Sequence, residues 1–402
     1  MSRENEGRVH HPSRRYNNAI KQLKNSSISS KNKELITKFL DESLAEGIGK
    51  LRLSKCVIIL KKIAQKLDKD FDKTTKQDIV NYVRDLGLND NYTDWTKYDY
   101  KVTLKKFYKI IKGNGEEYPE EVKWIKATRK LNNHKIPEEL ITPEEIKKLS
   151  NVATDQRDRA IVITLYESGA RAGELLSMRM KHVVFDKYGA LVILKGKTGT
   201  RRIRLVASVP ALSAWLDVHP YRDEKEGWLW LGKSTLNRNK RLSYAGLKKM
   251  LRELASRAKI QKPVNPHSFR HSRATELAKS LTEAQLCMIM GWVQGSKQAA
   301  TYVHLSQRDT DKAILKLHGL LEMEEEEPGL MAIKCPRCKQ HNTPGARFCR
   351  TCGMALDPQA ALDAEDKDKQ IGISVMEALR NNPELVGQIG EVLARALENK
   401  DY

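Results

Sequence analysis

Cysteine is scarce in this chain: there are six, with Cys56 and Cys287 standing alone and the other four gathered between residues 335 and 352. A secreted domain stapled by disulfides would carry more of them, spread more evenly. Long apolar runs are missing too; nothing approaches the roughly 20 consecutive apolar residues that span a bilayer. The N-terminus is polar from the start and lacks the apolar stretch of a secretory leader. These absences predict a cytoplasmic protein with no membrane partner. Acidic residues are also short, 51 Asp and Glu against 72 Lys and Arg, which leaves a net charge of +21. A surplus of that size points to a polyanionic partner, because each phosphate neutralised by Lys or Arg releases bound counterions.

The charge is unevenly placed. From Met323 to Tyr402 there are 10 basic and 14 acidic residues, whereas residues 1–322 hold 62 basic and 37 acidic. Any nucleic-acid binding therefore belongs to the first four-fifths of the chain. At 402 residues the length suits two or three units with their own cores, and no internal repeat is visible.

Residues 1–30, with Arg3, Arg8, Arg14, Arg15, Lys21 and Lys24 followed by NSSISS, read as a basic flexible arm. Residues 31–112 have helical periodicity. Leu35, Ile36, Phe39 and Leu40 form one apolar stripe; Leu60, Ile63, Ala64 and Leu67 a second; Ile79, Val80 and Val83 a third; Leu104, Phe107, Tyr108 and Ile111 a fourth. The faces between them are rich in lysine, so a basic domain of four helices is predicted. Gly113, Gly115 and Pro119 break the pattern, and residues 113–135 read as a linker.

A new domain over 136–322 opens at ITPEEIKKL, where Thr142, Pro143 and Glu145 have the order of a capping box with proline in the first turn. Residues 190–206 (ALVILKGKTGTRRIRLV) read as a β-hairpin, and helices resume from Tyr244 to about Leu321. Glu324–Glu327 and Pro328 make an acidic hinge. The fold class is thus mainly α with a small β component.

Four segments of this domain carry polar residues suited to phosphate chemistry. SGARAGELLSM puts Arg171 on a turn between Gly169 and Gly173; the hairpin tip holds Lys195 and Lys197. NPHSFRHSRATEL places His267 and Arg270 three residues apart on one helix face, and MGWVQGSKQAATYVHLS supplies Trp292 and Tyr302. Thr282 and Gln285 form a further capping box, setting Trp292 just past a helix end. Each segment alone is weak; their order is not. Arg171 precedes Lys195 by 24 residues, and Arg270 precedes Tyr302 by 32.

In that order the segments resemble the catalytic domain of the tyrosine recombinase (phage integrase) family, of the Xer type found on archaeal and bacterial mobile elements. The family's site runs Arg, Lys, His-x-x-Arg, His or Trp, Tyr, and falls here on Arg171, Lys195, His267, Arg270, Trp292 and Tyr302. The lysine-rich helical region resembles the family's core-binding (SAM-like) domain, so the likeness covers roughly residues 31–320. Two departures stand out: most members carry His where this chain has Trp292, whose indole only donates, and Lys197 competes with Lys195.

The resemblance implies a site-specific recombinase that cuts and rejoins double-stranded DNA through a 3′-phosphotyrosyl bond, in a synapse of four protomers, to integrate or excise a mobile element. Arg171 and Arg270 would clamp the phosphate, since the planar guanidinium fork matches its oxygens. Tyr302 would attack phosphorus, Lys195 would protonate the leaving 5′ oxygen, and His267 would serve as general base. Glu174 would help orient the site or simply form a salt bridge. No ATP or catalytic metal is implied, because the phosphotyrosyl bond conserves the energy of the broken strand. A type IB topoisomerase-like or telomere-resolving strand transferase, and a non-catalytic zinc-ribbon regulator that binds DNA, remain as alternatives.

Cys335-x₂-Cys338 and Cys349-x₂-Cys352 are separated by ten residues, with Pro336 and Gly353 on the two short knuckles. That spacing suits a closed tetrahedral Cys₄ site for structural zinc, resembling a short zinc ribbon at 333–356; a redox dithiol pair is the alternative. Residues 357–369 read as a charged spacer. An amphipathic helix over 370–399 follows, with Met376, Leu379, Leu385, Ile389, Leu393 and Leu397 as its stripe.

Overall fold

The computed structural model describes residues 12–113, 116–128, 140–196, 199–235, 238–295, 297–305, 318, 329–382 and 386–387. The chain divides into two units, Met1–Lys135 and Ile136–Tyr402.

The first unit is helical: α1 (Pro12–Lys24), α2 (Ser30–Ala45), α3 (Lys50–Leu67), α4 (Lys76–Leu88), α5 (Asp94–Ile111) and the short α6 (Glu120–Lys123). The stripes come together as one core in which Phe107 meets Phe39 and Phe71 edge-on, with ring centroids 5.5 and 4.6 Å apart. Its polar joints are satisfied locally. Asn32, almost wholly buried, takes the Phe71 N–H at 2.8 Å and donates to the Lys69 carbonyl at 2.9 Å. Between the stripes, Arg52 and Lys55 of α3 share Asp99 of α5, while Lys62 and Lys66 stay exposed.

Two sequence expectations are corrected here. Residues 12–24 are not a flexible arm but a helix, with Ala19 and Leu23 buried in this core beside α3. Its many cations concealed a stripe of Tyr16, Ala19, Ile20 and Leu23 that packs on this core. The expected linker is also partly built into the unit: Val122 and Ile125 are buried, Lys112 pairs with Glu121 at 2.8 Å, and Lys105 donates to the Ile125 carbonyl. Residues 1–11 and 129–139 lie outside the described part.

The second unit is built around α8 (Gln156–Ser168), buried on every side from Ala160 to Ser168. Against it lie α7 (Pro143–Asn151), α10 (Val209–Asp217) and α12 (Pro266–Ser280), with α9 (Ala172–Leu176) following it directly. A three-stranded antiparallel sheet runs β1 (Val183–Asp186), β2 (Gly189–Gly196), β3 (Gly199–Leu205), and β2 pairs with β3 from Ala190↔Leu205 to Gly196↔Gly199. The hairpin falls where the sequence placed it; β1 was not foreseen, since VVFD is short and mostly exposed. Glu167 ties the sheet to α8: its carboxylate accepts the backbone N–H groups of Val206, Ala207 and Ser208 at 2.7–2.9 Å. This buried acid is thereby satisfied without a cation.

The remaining helices are α11 (Tyr244–Arg257), α13 (Glu283–Met290) and α14 (Lys297–Leu305). Both expected capping boxes are present, Thr142 with Glu145 before α7 and Thr282 with Gln285 before α13. Further on, β4 (Ile333–Lys334) and β5 (His341–Asn342) pair in the cysteine module. It is held to α10 within the second unit: Arg350 reaches the Pro210 carbonyl at 3.2 Å and Asp217 at 2.8 Å. The last helix, α15 (Pro358–Asn381), begins at the expected spacer, capped by Asp357 and opened by Pro358. Charges dense enough to suggest solvent did not prevent a helix from forming. Leu385, Ile389, Leu393 and Leu397 lie outside the described residues. Among those described, no helix is long and apolar enough to cross a membrane.

Candidate active site

Arg171 sits at the N-cap of α9, where the chain leaves α8 through Gly169 at φ 56°. Its backbone N–H and its Nη1 both donate to Glu174, at 2.8 Å each, and Nη2 approaches the Gly291 carbonyl at 3.4 Å. Arg270 projects from α12 and is almost fully buried; Nη1 donates to the Gly169 carbonyl at 2.8 Å and Nη2 to the Met290 carbonyl. Two guanidiniums thus meet at the C-terminal end of α13, where unpaired helix carbonyls favour positive charge. Burial and then the charge of Arg171 pull Arg270 down to about 10, which still leaves it a cation near neutrality.

Glu174 anchors this arrangement. Burial would raise its carboxyl, but the hydrogen bonds and charge of Arg201, joined by Arg171, hold it down at about 2. Arg201, on β3, also donates from Nε to the Ile289 carbonyl at 2.8 Å. Sequence reading did not single out Arg201, although strand alternation sets it on the face of Ile203 and Leu205 and turns Arg202 and Arg204 away; what the strand does not show is its partner, Glu174. Gly291 ends α13 at φ 62°, a conformation that favours glycine, and a Cβ there would come within 2.9 Å of the Arg201 Nη1.

Lys195 is exposed near the end of β2, opposite Thr200, on the face away from buried Leu194. Lys197 lies outside the described residues. Gly196 packs against the anchor, since a Cβ there would fall 2.3 Å from Glu174 Oε1. The hairpin that carries Lys195 is therefore in register with the carboxylate that holds Arg171.

Tyr302 projects from α14 and is 8% exposed. Trp292 stacks on its ring, 5.1 Å between centroids and 11° from parallel, with the Arg270 guanidinium 5.4 Å from the Trp292 ring centre. Burial pushes the Tyr302 phenol up to about 12, against the opposing pull of Arg270. The Tyr302 hydroxyl is hydrogen-bonded to Nδ1 of His271. His267, expected in that place, is exposed one helical turn earlier and lies against His271 with ring centroids 4.1 Å apart. His271 was not singled out. Its only signal is that it stands four residues after His267, on the same face of α12.

The structure therefore brings Arg171, Arg270, Trp292 and Tyr302 together around the end of α13, and adds Glu174, Arg201 and His271. A pair of fixed guanidiniums beside a stacked phenol suits binding a phosphodiester and attacking it.

In the cysteine module the sulfurs of Cys335, Cys338, Cys349 and Cys352 all lie within 4.8 Å of one another. Backbone N–H groups of Cys352 and then Thr351 help bring the Cys349 thiol down to about 6, as a thiolate ligand requires. Asn342, buried beneath it, donates towards its sulfur and takes the Arg350 N–H at 2.9 Å. Four sulfurs at this spacing can hold a metal ion.

Residues 139–308 match the model of the phage integrase family. A tyrosine recombinase XerA of Pyrococcus furiosus is 34% identical over 153 residues, 37% of this chain and 52% of its own. A tyrosine recombinase XerC of Haemophilus ducreyi is 29% identical over 193 residues, 46% of this chain and 62% of its own. The chain spans about half the length of the curated XerA relatives it matches. Among solved structures, XerH recombinase bound to a palindromic difH substrate in a post-cleavage complex aligns with TM-score 0.53 at 19% identity, over 76% of this chain and 95% of that one. Lambda integrase (residues 75–356) bound to DNA aligns with TM-score 0.53 at 12% identity, over 73% of this chain and 99% of that one. The fold is shared with both.

Proposed function

We propose that the domain at residues 139–308, which matches the phage integrase family model, makes this chain a tyrosine recombinase that cleaves and rejoins double-stranded DNA at specific sites. The carrying observation is the meeting of Arg171 and Arg270 at the end of α13, with Tyr302 held under Trp292 beside them. Two cations held against backbone carbonyls leave donors for the non-bridging oxygens of a phosphate. They stabilise the charge that builds as the phosphorus becomes five-coordinate. Tyr302 attacks phosphorus, Lys195 protonates the departing 5′ oxygen, and a 3′-phosphotyrosyl bond stores the strand's energy until rejoining. Trp292 fixes the attacking ring by stacking, and His267 stands at the exposed edge of the site.

Of the structures that share the fold, XerH is bound to a palindromic difH substrate and lambda integrase to DNA, and the surplus of cations before residue 322 agrees with a duplex partner. Domains over 31–112 and 136–322 would hold the duplex, and protomers would assemble in fours to join two duplexes for integration or excision of a mobile element. The cytoplasm, where such DNA is reached, is the place of action. Cys335, Cys338, Cys349 and Cys352 would hold structural zinc in the ribbon of residues 333–356; with four protein ligands it has no open position for chemistry.

The reading is tested by Tyr302→Phe with a nicked site that traps cleaved DNA. The variant should bind as the parent does and form no SDS-resistant adduct. An adduct that persists, or that maps to another tyrosine such as Tyr244, overturns it.

A further inference from the structure

We infer that His271, rather than His267, is the catalytic base that takes the proton of Tyr302 when the phenol attacks. This inference rests on the proposed recombinase chemistry and assigns a residue outside the Arg–Lys–His-x-x-Arg–Tyr pattern.

The argument begins with the helix. His271 directly follows Arg270 on α12, and consecutive helical side chains diverge by about 100°. Arg270 consequently turns inward to the Gly169 and Met290 carbonyls, and His271 turns towards α14. There its Nδ1 meets the Tyr302 hydroxyl, with the two rings tilted 34° and their centroids 5.6 Å apart. The phenol cannot swing away freely, because Trp292 covers its face. His267, four residues earlier on the same face, packs edge-on against the His271 ring and backs the base without taking its place.

The chemistry needs a base at that point. A phenol inside this pocket is held above its ordinary range by burial, so only a minute fraction is phenolate near neutrality. For Nδ1 to accept, the imidazole carries its own proton on Nε2. In the cleavage step the Oη–H bond breaks and its proton passes to Nδ1, giving an imidazolium. Oη bonds to phosphorus, the bond from phosphorus to the 5′ oxygen breaks, and that oxygen receives its proton from Lys195. Rejoining reverses each transfer: the 5′ oxygen returns its proton to Lys195 and attacks, while His271 reprotonates the departing Tyr302 oxygen. No oxidant, metal or further reactant is needed.

The test uses the full chain and a nicked half-site whose cleaved fragment diffuses away, with adduct formation followed in a single turnover. His271→Asn places a carbonyl oxygen near the position of Nδ1; it can hold the hydroxyl but cannot become a cation. We expect its cleavage to fall about 100-fold or more with DNA binding unchanged, and His267→Asn to fall much less. A fluorinated tyrosine of greater acidity at position 302 should restore His271→Asn to within tenfold of the parent. Cleavage by His271→Asn within threefold of the parent, or no recovery with the acidic phenol, overturns the inference. If that variant does not fold, the parent protein decides. With ¹⁵N-labelled histidine, His271 should show an unprotonated Nδ1, and a proton found there makes it a donor to the phenol and sinks the proposal. Adduct at Tyr302 in the parent keeps these outcomes separate from the recombinase reading, which fails only if the adduct is elsewhere or absent.

Discussion

Arg201 grips both carboxylate oxygens of Glu174, at 2.9 and 2.7 Å, from the third strand of the sheet, while the Arg171 guanidinium shares one of them at 2.8 Å. A phosphate-binding arginine is thus fixed through a buried acid by a second arginine with a structural task. Planar, two-point contacts of this kind are what guanidinium provides and ammonium does not. Arg201→Met should leave Glu174 buried with only part of its compensation and cost about 3 kcal/mol or more in unfolding free energy. Denaturant unfolding checks this, and a loss under 1 kcal/mol would show that Arg171 satisfies Glu174 alone.

The same pair sets an acid limit. Glu174 is held at about 2 in the folded chain, against about 4.3 for a free glutamate. A depressed folded value means the stabilisation is complete above the unfolded pKa and disappears as pH falls towards 2. The stability gap between the parent and Glu174→Gln should therefore be widest above pH 5 and close steadily below 4. A gap independent of pH across that window would show that the charge of Glu174 contributes nothing.

Gly196 touches the anchor from the other side. A methyl group there would lie 2.3 Å from Glu174 Oε1, so Gly196→Ala should push the hairpin off the carboxylate and carry Lys195 with it. Cleavage should drop ten- to a hundredfold, on the scale by which small misplacements of catalytic groups act, with DNA binding kept. Substrates with a 5′-bridging phosphorothiolate need no proton on the leaving group. They should rescue Gly196→Ala and Lys195→Ala alike; rescue of Lys197→Ala instead would transfer the acid role to Lys197.

How much of this was legible beforehand depends on the range of the interactions involved. Arg171, Arg270, Trp292 and Tyr302 could be named because their order and spacing along the chain resemble a family pattern, although the local signal at each is weak. Arg201 and His271 could not. What distinguishes them is a partner 27 or 31 residues away: alternation with Ile203 and Leu205 turns Arg201 inward without naming Glu174, and a helix with two histidines on one face does not say which of them meets a tyrosine. The helix at Pro12–Lys24 was hidden for a related reason. Its stripe, Tyr16, Ala19, Ile20 and Leu23, has helical spacing but is set among so many cations that only its packing on α3 shows it to be part of the core. Even the cysteine spacing, the most local signal in the chain, says nothing of where the module docks.

DNA affinity should reside in residues 1–322. Many phosphate contacts imply a steep fall of binding with salt, at a slope of about −0.9 per phosphate neutralised. A fragment ending at residue 322 should retain most of the slope of the full chain. A slope flattened by more than about three such contacts would place a substantial part of the DNA interface in the C-terminal module.

The C-terminal module should instead serve contacts between protomers, with zinc holding it folded. Two of its arginines are already engaged: Arg350 bonds Asp217 and the Pro210 carbonyl, and Arg347 pairs with Asp363 of α15. These arginines would have to give up partners on the protein to reach a phosphate. The helix that follows leaves Ile371, Ile373, Val375 and Met376 exposed, an apolar surface suited to another protein and not to DNA. About 24 residues bury too little surface to fold unaided, so metal binding and folding of the ribbon should be coupled. Cys349→Ser with Cys352→Ser should release one zinc per chain, measured by metal analysis, and make the ribbon sensitive to protease. Cleavage of a single site should stay within about threefold of the parent, because the Arg171–Glu174–Arg201 anchor and Tyr302 are held by bonds from α9, β3, α12 and the end of α13. Joining of two sites should fall by tenfold or more. A parallel loss of single-site binding and of recombination would instead make the ribbon a reader of DNA, with Arg350 exchanging Asp217 for phosphate on the duplex.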